Sequence, residues 1–328
     1  MLQHKSKFLS PFLFLTLLLM FTGCSPTRYI PKDEPDPLEP FYVPEKIRVA
    51  LVLGSGGVRG MAHVGVIEVL EANGIRPDII IGCSAGSIVG ALYAEQPDPE
   101  YVKRAVWSMR TNSMLDISVW QCRFGLSQGD CMHHVLDDYL ESETFDELQI
   151  PLVIVATDLH TGELVPIGSG DLTKAVQSSC SIPFVFVPSE HLGRVFVDGG
   201  TINPVPARIA RDLGADVIIT VDLCELLDKT FPTNLFGVAS RSAEIAFMWQ
   251  NEVCSRDSDV VIRPKTCGIG AFNDKMKSKL YEAGKAAALE QLPRINELLA
   301  NTPQVDRANN GWRLVNMQAY TPAIYHAD

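Results

Sequence analysis

"DIIIGCSAG" at residues 78–86 decides how the chain is read. Three consecutive isoleucines, a β-branched run suited to a buried strand, end at Gly82. Ser84 then stands between Gly82 and Gly86, and "SIVGALYA" (87–94) continues as a helix. A strand that runs through Gly-x-Ser-x-Gly into a helix is the setting of a nucleophile elbow. The turn is sharp, and a side chain at either flanking position would collide with its neighbours. Glycine at 82 and 86 removes those collisions and leaves the serine exposed above the sheet. The Ala85 N–H and the helix dipole would then act on charge developing at the hydroxyl. As a bare string the motif recurs by chance; its place between strand and helix gives it weight.

Outward from this stretch, strands alternate with helices. "IRVALVL" (47–53), "DIII" (78–81), "PLVIVATDL" (151–159), "RVFVD" (194–198), "ADVIITVDL" (215–223) and "DVVIRP" (259–264) read as strands, with "ELVPI" (163–167) between the third and fourth. Helices are expected from Met61 to Leu70, stopped by Asn73-Gly74, near Leu172–Ser179, over "PARIARDLG" (206–214), over Phe236–Glu252 and from Asn273 to Leu299. The alternation predicts an α/β fold with a mostly parallel central sheet flanked by helices. The formal net charge of −11 argues against nucleic acid as the main partner.

The first residues differ from this body. His4, Lys5 and Lys7 precede "FLSPFLFLTLLLMF" (8–21), followed by Thr22, Gly23 and Cys24. A charged start, a short apolar stretch and small residues describe a secretory signal over residues 1–23. The alternative is an uncleaved anchor, for which the stretch is short. The segment resembles a bacterial lipoprotein signal, although Phe21 stands where that family usually has leucine. The resemblance implies acylation of Cys24, and Ser25 in place of aspartate implies sorting to the outer membrane, facing the periplasm. Residues 24–45 hold six prolines and a cluster of acids, and are expected to be an extended tether unable to form a ladder. The body is expected over residues 46–300, with an irregular tail over 301–328.

Two further constellations carry chemistry. "LVLGSGGVRG" (51–60) places Gly54, Gly56, Gly57 and Gly60 after the first strand. A dinucleotide loop needs a third glycine at 59, which is Arg59, and no Gly-Lys-Ser/Thr of a P-loop follows. The better reading is an oxyanion hole of exposed backbone N–H groups at Gly56, Gly57 and Arg59, with Arg59 also able to position the loop or attract a phosphate. "VFVDGG" (195–200) ends a strand on Asp198, Gly199 and Gly200. Asp-Gly alone is a common turn. Beside a reactive serine, however, Asp198 is a candidate base. His63, His133, His134, His160, His191 and His326 lie in no recognisable triad context; His63 is read as packing or local hydrogen bonding. Asp158 and Asp222 read as loop or cap residues, and "GLSQGD" (125–130) as a helix cap or the lining of an access route.

The sequence shows no C-x-x-C pair and no metal-ligand spacing, so neither metal nor cofactor is expected. Apart from Cys24, the cysteines at 83, 122, 131, 180, 224, 254 and 267 read mostly as small buried hydrophobes. Cys83, beside Ser84, should point into the fold.

Together the glycine loop ending in Arg59-Gly60, the Gly82–Gly86 elbow and Asp198-Gly199-Gly200 resemble the patatin-like phospholipase family, in that order. "SSCSIPFVFVP" (178–188) and "NPVPARIARDLGADVIITVDL" (203–223) resemble it too, and the likeness covers residues 46–295. It implies a three-layer hydrolase fold and a Ser-Asp dyad without histidine, with Ser84 as nucleophile and Asp198 as base. Ser55 departs from the family, where many members carry another glycine. A carboxylate is a weak base at its ordinary pKa, so such a dyad needs Asp198 desolvated or Ser84 strongly oriented. The expected activity is hydrolysis of phospholipids or lysophospholipids through an acyl-enzyme. The competing readings are a non-catalytic lipid- or partner-binding lipoprotein and a short-chain esterase or thioesterase.

Overall fold

The computed structural model describes residues 36–117, 124–223, 231–266 and 268–320. The signal over 1–23, Cys24, most of the tether, Cys122, Cys224, Cys267 and His326 lie outside the described residues. Ten strands are described: β1 (Phe41–Pro44), β2 (Ile47–Leu53), β3 (Ile79–Cys83), β4 (Leu152–Asp158), β5 (Leu164–Ile167), β6 (Ser189–His191), β7 (Arg194–Asp198), β8 (Ala215–Val221), β9 (Val260–Ile262) and β10 (Trp312–Val315). The described α-helices are α1 (Met61–Ala72), α2 (Ala85–Glu95), α3 (Pro99–Ser108), α4 (Asp130–Tyr139), α5 (Leu172–Ser179), α6 (Ala207–Asp212), α7 (Leu235–Cys254) and α8 (Lys277–Ala300).

β4, β3, β2, β8 and β9 lie side by side and parallel, while β5 and β7 pair antiparallel with β4, and β6 pairs antiparallel with β7. The sheet is buried on both faces, which explains the unbroken apolar strands. Side chains alternate across it. Val49, Leu51 and Leu53 join Ile80 in one core, whereas Ala50 and Val52 join Ile79, Ile81 and Cys83 in the other. Residues of α1, α2, α5 and α8 complete the first core; α6 and apolar residues of β1 complete the second.

The register fixes where chemistry can occur. β3 pairs with the first half of β4, ending at Cys83 opposite Val155, and β7 begins one step later with Asp198 opposite Ala156. β5 covers residues 154–157 of β4 and overlaps both, so β3 and β7 share one edge of β4 and meet end to end. The residue after Cys83 and the last residue of β7 therefore arrive at the same place.

Four expectations change. The tether and the tail are not wholly irregular: Phe41–Pro44 pairs antiparallel with Trp312–Val315, and a short 3-10 turn forms at Arg307–Asn309. Three of the tether's prolines, Pro26, Pro31 and Pro35, precede the described residues. Pro44 ends β1, where a missing N–H is tolerated. Phe41 and Val43 are buried, so the apolar alternation in "FYVP" outweighs its prolines. The stretch from Asn273 holds one long helix, α8, preceded by a 3-10 turn, and Pro293 stands inside it. α3 was not expected, and α4 only as a helix that "GLSQGD" could cap. α3 carries the signal that should reveal it, since Asp98 caps the Glu100 N–H and Pro99 holds the first position. α4 buries only Met132 and Leu136, too few for a clear period.

Candidate active site

Ser84 occupies the turn between β3 and α2 with φ 52° and ψ −120°, a conformation that side chains rarely adopt. Its surroundings hold it there. The Ser84 N–H donates to the Ser179 hydroxyl at 2.8 Å, and its carbonyl accepts from the Ser87 hydroxyl at 2.6 Å and the Ser87 N–H at 2.8 Å. A Cβ on Gly86 would stand 2.0 Å from the Leu53 carbonyl oxygen, so only glycine lets α2 pass so close to β2. Gly82 is similarly confined by Ser87. The elbow is thus built by residues on three elements.

Asp198 ends β7 and is buried beside it. The Ser84 hydroxyl donates to its Oδ2 at 2.6 Å, and the Gly200 N–H donates to its Oδ1 at 2.7 Å. The Thr157 hydroxyl donates to the Asp198 carbonyl at 3.0 Å, and the Asp198 N–H donates to the Ser181 carbonyl at 2.9 Å. Both carboxylate oxygens are therefore oriented. Burial raises the Asp198 pKa from 3.8 to about 6, with the bonds from Ser84 and Gly200 opposing the shift. Proton transfer from a serine is thereby brought closer to balance than an ordinary aspartate allows.

The glycine loop closes the third side. The N–H groups of Gly54 and Ser55 donate to the carbonyls of Val221 and Pro204, and that of Val58 to Ala271. Those of Gly56 and Gly57 have no backbone partner among the described residues, and Gly57 lines the pocket beside Ser84. Gly57 has φ +60°, and a Cβ there would meet the Ala271 carbonyl oxygen at 2.5 Å. Gly60 packs on Ala85, and Gly199 on Val155. Arg59 corrects an expectation: its N–H and its Nε both donate to the Gly56 carbonyl, at 3.2 and 3.1 Å. Those donors hold the loop's shape, so Arg59 positions the loop rather than forming the oxyanion hole.

No described histidine hydrogen-bonds to Ser84 or Asp198. His63 is fully buried, and its Nε2 lies 2.8 Å from the Gly54 carbonyl; burial lowers its pKa to about 4, so the ring is neutral and donates. It pins the glycine loop. Burial also lowers the pKa of His191, and His133 lies 3.5 Å from Asp137 on α4. Asp158 forms a buried ion pair with Arg194 at 2.8 Å and also accepts from the His160 N–H. Asp222 pairs with Arg263 at 3.1 Å. The "GLSQGD" stretch does cap a helix: Gly129, at φ 89°, precedes α4, and Asp116 accepts from its N–H and that of Asp130. Cys83 points into the core and burial pushes its pKa well up, which leaves it an inert thiol. Among the described residues no cluster of His, Cys, Asp or Glu is placed to hold a metal ion.

An apolar pocket of about 110 Å³ leads to Ser84, walled by Ile88, Met109, Met132, Ile182 and Phe186 among others. Met109 belongs to a segment held by α8. The Lys277 ammonium donates to the carbonyls of Val106, Trp107 and Met109 at the end of α3, and Asp274 accepts from the Thr111 N–H at 2.9 Å. Sequence reasoning assigned no role to Ser179, Ser181 or these pocket residues. Within "SSCSIP" (178–183) only a family resemblance marks Ser179 and Ser181, and pocket walls come from residues far apart in the chain.

The family model for Patatin-like phospholipase matches residues 51–211. Over 275 residues the chain is 31% identical to human Patatin-like phospholipase domain-containing protein 6, covering 73% of this chain and 20% of that one. It is 35% identical over 178 residues to an uncharacterized NTE family protein of Mycobacterium tuberculosis, covering 54% of this chain and 49% of that one. The chain thus spans at most about half the length of these curated relatives. Among solved structures, VipD from Legionella pneumophila superposes with a TM-score of 0.51 at 14% identity, over 91% of this chain and 74% of that one. That likeness is one of fold.

Proposed function

The chain belongs to the patatin-like phospholipase family, and from that premise we propose that it cleaves lipid carboxylic esters, of phospholipids or lysophospholipids, by acyl transfer through Ser84 and Asp198. The observation that carries this reading is the 2.6 Å bond from the Ser84 hydroxyl to a buried carboxylate at the end of an apolar pocket. Ser84 Oγ attacks the ester carbonyl carbon while its proton passes to Asp198 Oδ2. The N–H groups of Gly56 and Gly57 hold the resulting oxyanion, aided by the N-terminus of α2. As the tetrahedral intermediate collapses, the protonated Asp198 gives its proton to the leaving alkoxide. Water then attacks the acyl-serine, with Asp198 as base, and releases the fatty acid.

Acylation at Cys24 and residence at an envelope membrane belong to the same proposal. It rests on residues 1–24, and mass spectrometry of the N-terminal peptide tests it. The activity is tested by assaying phosphatidylcholine and a short p-nitrophenyl ester with the parent chain, Ser84→Ala and Asp198→Asn. The proposal expects lipid turnover that falls by roughly 10⁴-fold or more in both variants. Turnover of the short ester alone would make the chain an esterase. Serine-independent binding of lipid without turnover would make it a binding protein.

A further inference from the structure

Among the described residues, three other than glycine have positive φ: Ser84, Leu192 and Phe184. Leu192 forms the two-residue turn of the β6–β7 hairpin with Gly193, where such angles are ordinary. Phe184, at φ 68°, is the third residue of a turn that follows Pro183 and is closed by the Val185 N–H on the Ile182 carbonyl at 3.1 Å, a position where glycine is the ordinary occupant. In an extended chain Phe184 and Phe186 would share a face. The turn at Phe184 separates them: Phe186 enters the pocket wall and is 6% exposed, whereas Phe184 points outward and is 88% exposed. Backbone strain is here spent on presenting an apolar ring to the outside, which is unusual enough to ask what meets it.

Phe184 does not stand alone. Residues 125–127 run alongside 185–187, with the Ser127 N–H donating to the Val185 carbonyl at 2.8 Å and the Val187 N–H donating to the Ser127 carbonyl at 2.9 Å. Ile117 bridges Ser127 from the other side. Gly125 packs against the Phe186 backbone, and Ser127 is buried, but Leu126 and Ile117 are 52% and 64% exposed. Phe272, which lines the pocket, is also exposed. Exposed apolar side chains at 117, 126 and 184 thus lie on segments paired around Phe186, a wall of the pocket that reaches Ser84.

We infer that the rim of Phe184, Leu126 and Ile117 docks on a lipid surface, inserting beside the pocket mouth so that an acyl chain crosses from the bilayer to Ser84 without entering water. Three observations select a lipid surface over a protein. The segments that carry the rim are paired, through Ser127, with Phe186, which lines an apolar pocket suited to an acyl chain. Its named residues are uncharged. The chain's net charge of −11 opposes approach to anionic lipid, so insertion into a zwitterionic interface is driven by apolar burial and is insensitive to salt. The inference takes the lipid guest from the proposed function, but docking can be measured without turnover.

The test uses the full chain carrying Ser84→Ala, so that no lipid is cleaved, bound to phosphatidylcholine vesicles and collected by flotation. Phe184→Trp is compared with Tyr42→Trp, which adds tryptophan at an exposed position on the β1–β10 ribbon. The emission added at 184 is expected to move to shorter wavelength and to be lost when the vesicles carry acyl-chain-brominated phosphatidylcholine. The emission added at 42 is expected to do neither. An unshifted, unquenched signal at 184, or equal quenching at both positions, would overturn the inference. So would a blue shift without quenching, which would assign the rim to a second copy of this chain. A chain that fails to float would overturn it as well. Because the acyl-transfer serine is absent throughout, none of these outcomes depends on whether the catalytic reading holds.

Discussion

Ser84 and Phe184 share a positive φ that side chains avoid, and their surroundings differ. Ser84 is 4% exposed and tied by hydrogen bonds from its amide, carbonyl and hydroxyl. Phe184 is 88% exposed and presents only a ring. In one place strain aims a polar group inward at a buried carboxylate; in the other it aims an apolar group outward. The comparison teaches that a strained angle marks a position where the chain gives up local ease to direct a side chain. What surrounds the side chain says what it is directed at.

The sharpest way to break this contrast is Gly57→Ala. A methyl group there meets the Ala271 carbonyl oxygen, and the loop must shift its free N–H groups. Turnover of soluble and vesicle esters should fall together by roughly 10²–10³-fold, read from kcat, because only the glycine loop is affected. Next comes pH. With Asp198 titrating at about 6, kcat/KM for a soluble ester should rise about tenfold per unit up to that point and then level off. A profile flat down to pH 4 would remove Asp198 as the base. Third, Phe184→Ser should lower the ratio of vesicle to soluble-ester turnover roughly tenfold, the worth of burying one large apolar side chain.

Stability gives the smallest effects. The Asp198 carboxyl titrates at about 6 when folded and near 3.8 when unfolded, so the folded chain binds the extra proton between those values. Its ionisation therefore costs stability as pH rises through that window, by up to roughly 3 kcal/mol. Asp198→Asn should raise the unfolding free energy by about 1–3 kcal/mol at pH 8, and the gain should vanish near pH 4, as read by denaturant unfolding. Ser84→Gly and Phe184→Gly should each stabilise by about 1 kcal/mol through relief of strain. If Phe184→Gly destabilises instead, the ring packs on something and the contrast fails.

Much of this was legible in the sequence, for a definable reason. The strands at 47–53, 79–83 and 215–221 are buried on both faces, so their apolar runs carry an unambiguous signal. Gly82, Ser84, Gly86 and Asp198 could be singled out because the elbow and the strand end impose steric rules on neighbouring residues. Arg59 was misjudged as a donor to the oxyanion because its backbone N–H is taken by the Gly56 carbonyl in the 3-10 turn at Gly57–Gly60, a turn that the spacing of the glycines does not reveal. The β1–β10 ribbon escaped notice because pairing between Phe41 and Val315 is a property of the folded body. Nothing in "IPFVF" (182–186) announces which phenylalanine turns out.

That ribbon has a mechanical meaning. β1 precedes β2 directly, and its four residues are clasped by β10, with the Phe41 ring set against Gly168. A pull on the chain ahead of Phe41 is met first by this short antiparallel ladder, whose rungs are loaded one after another from the Phe41 end. The central strands, and the Ser84–Asp198 bond beyond them, feel tension only after the clasp has opened. The ribbon acts as a strain relief, like the collar where a cable enters its housing.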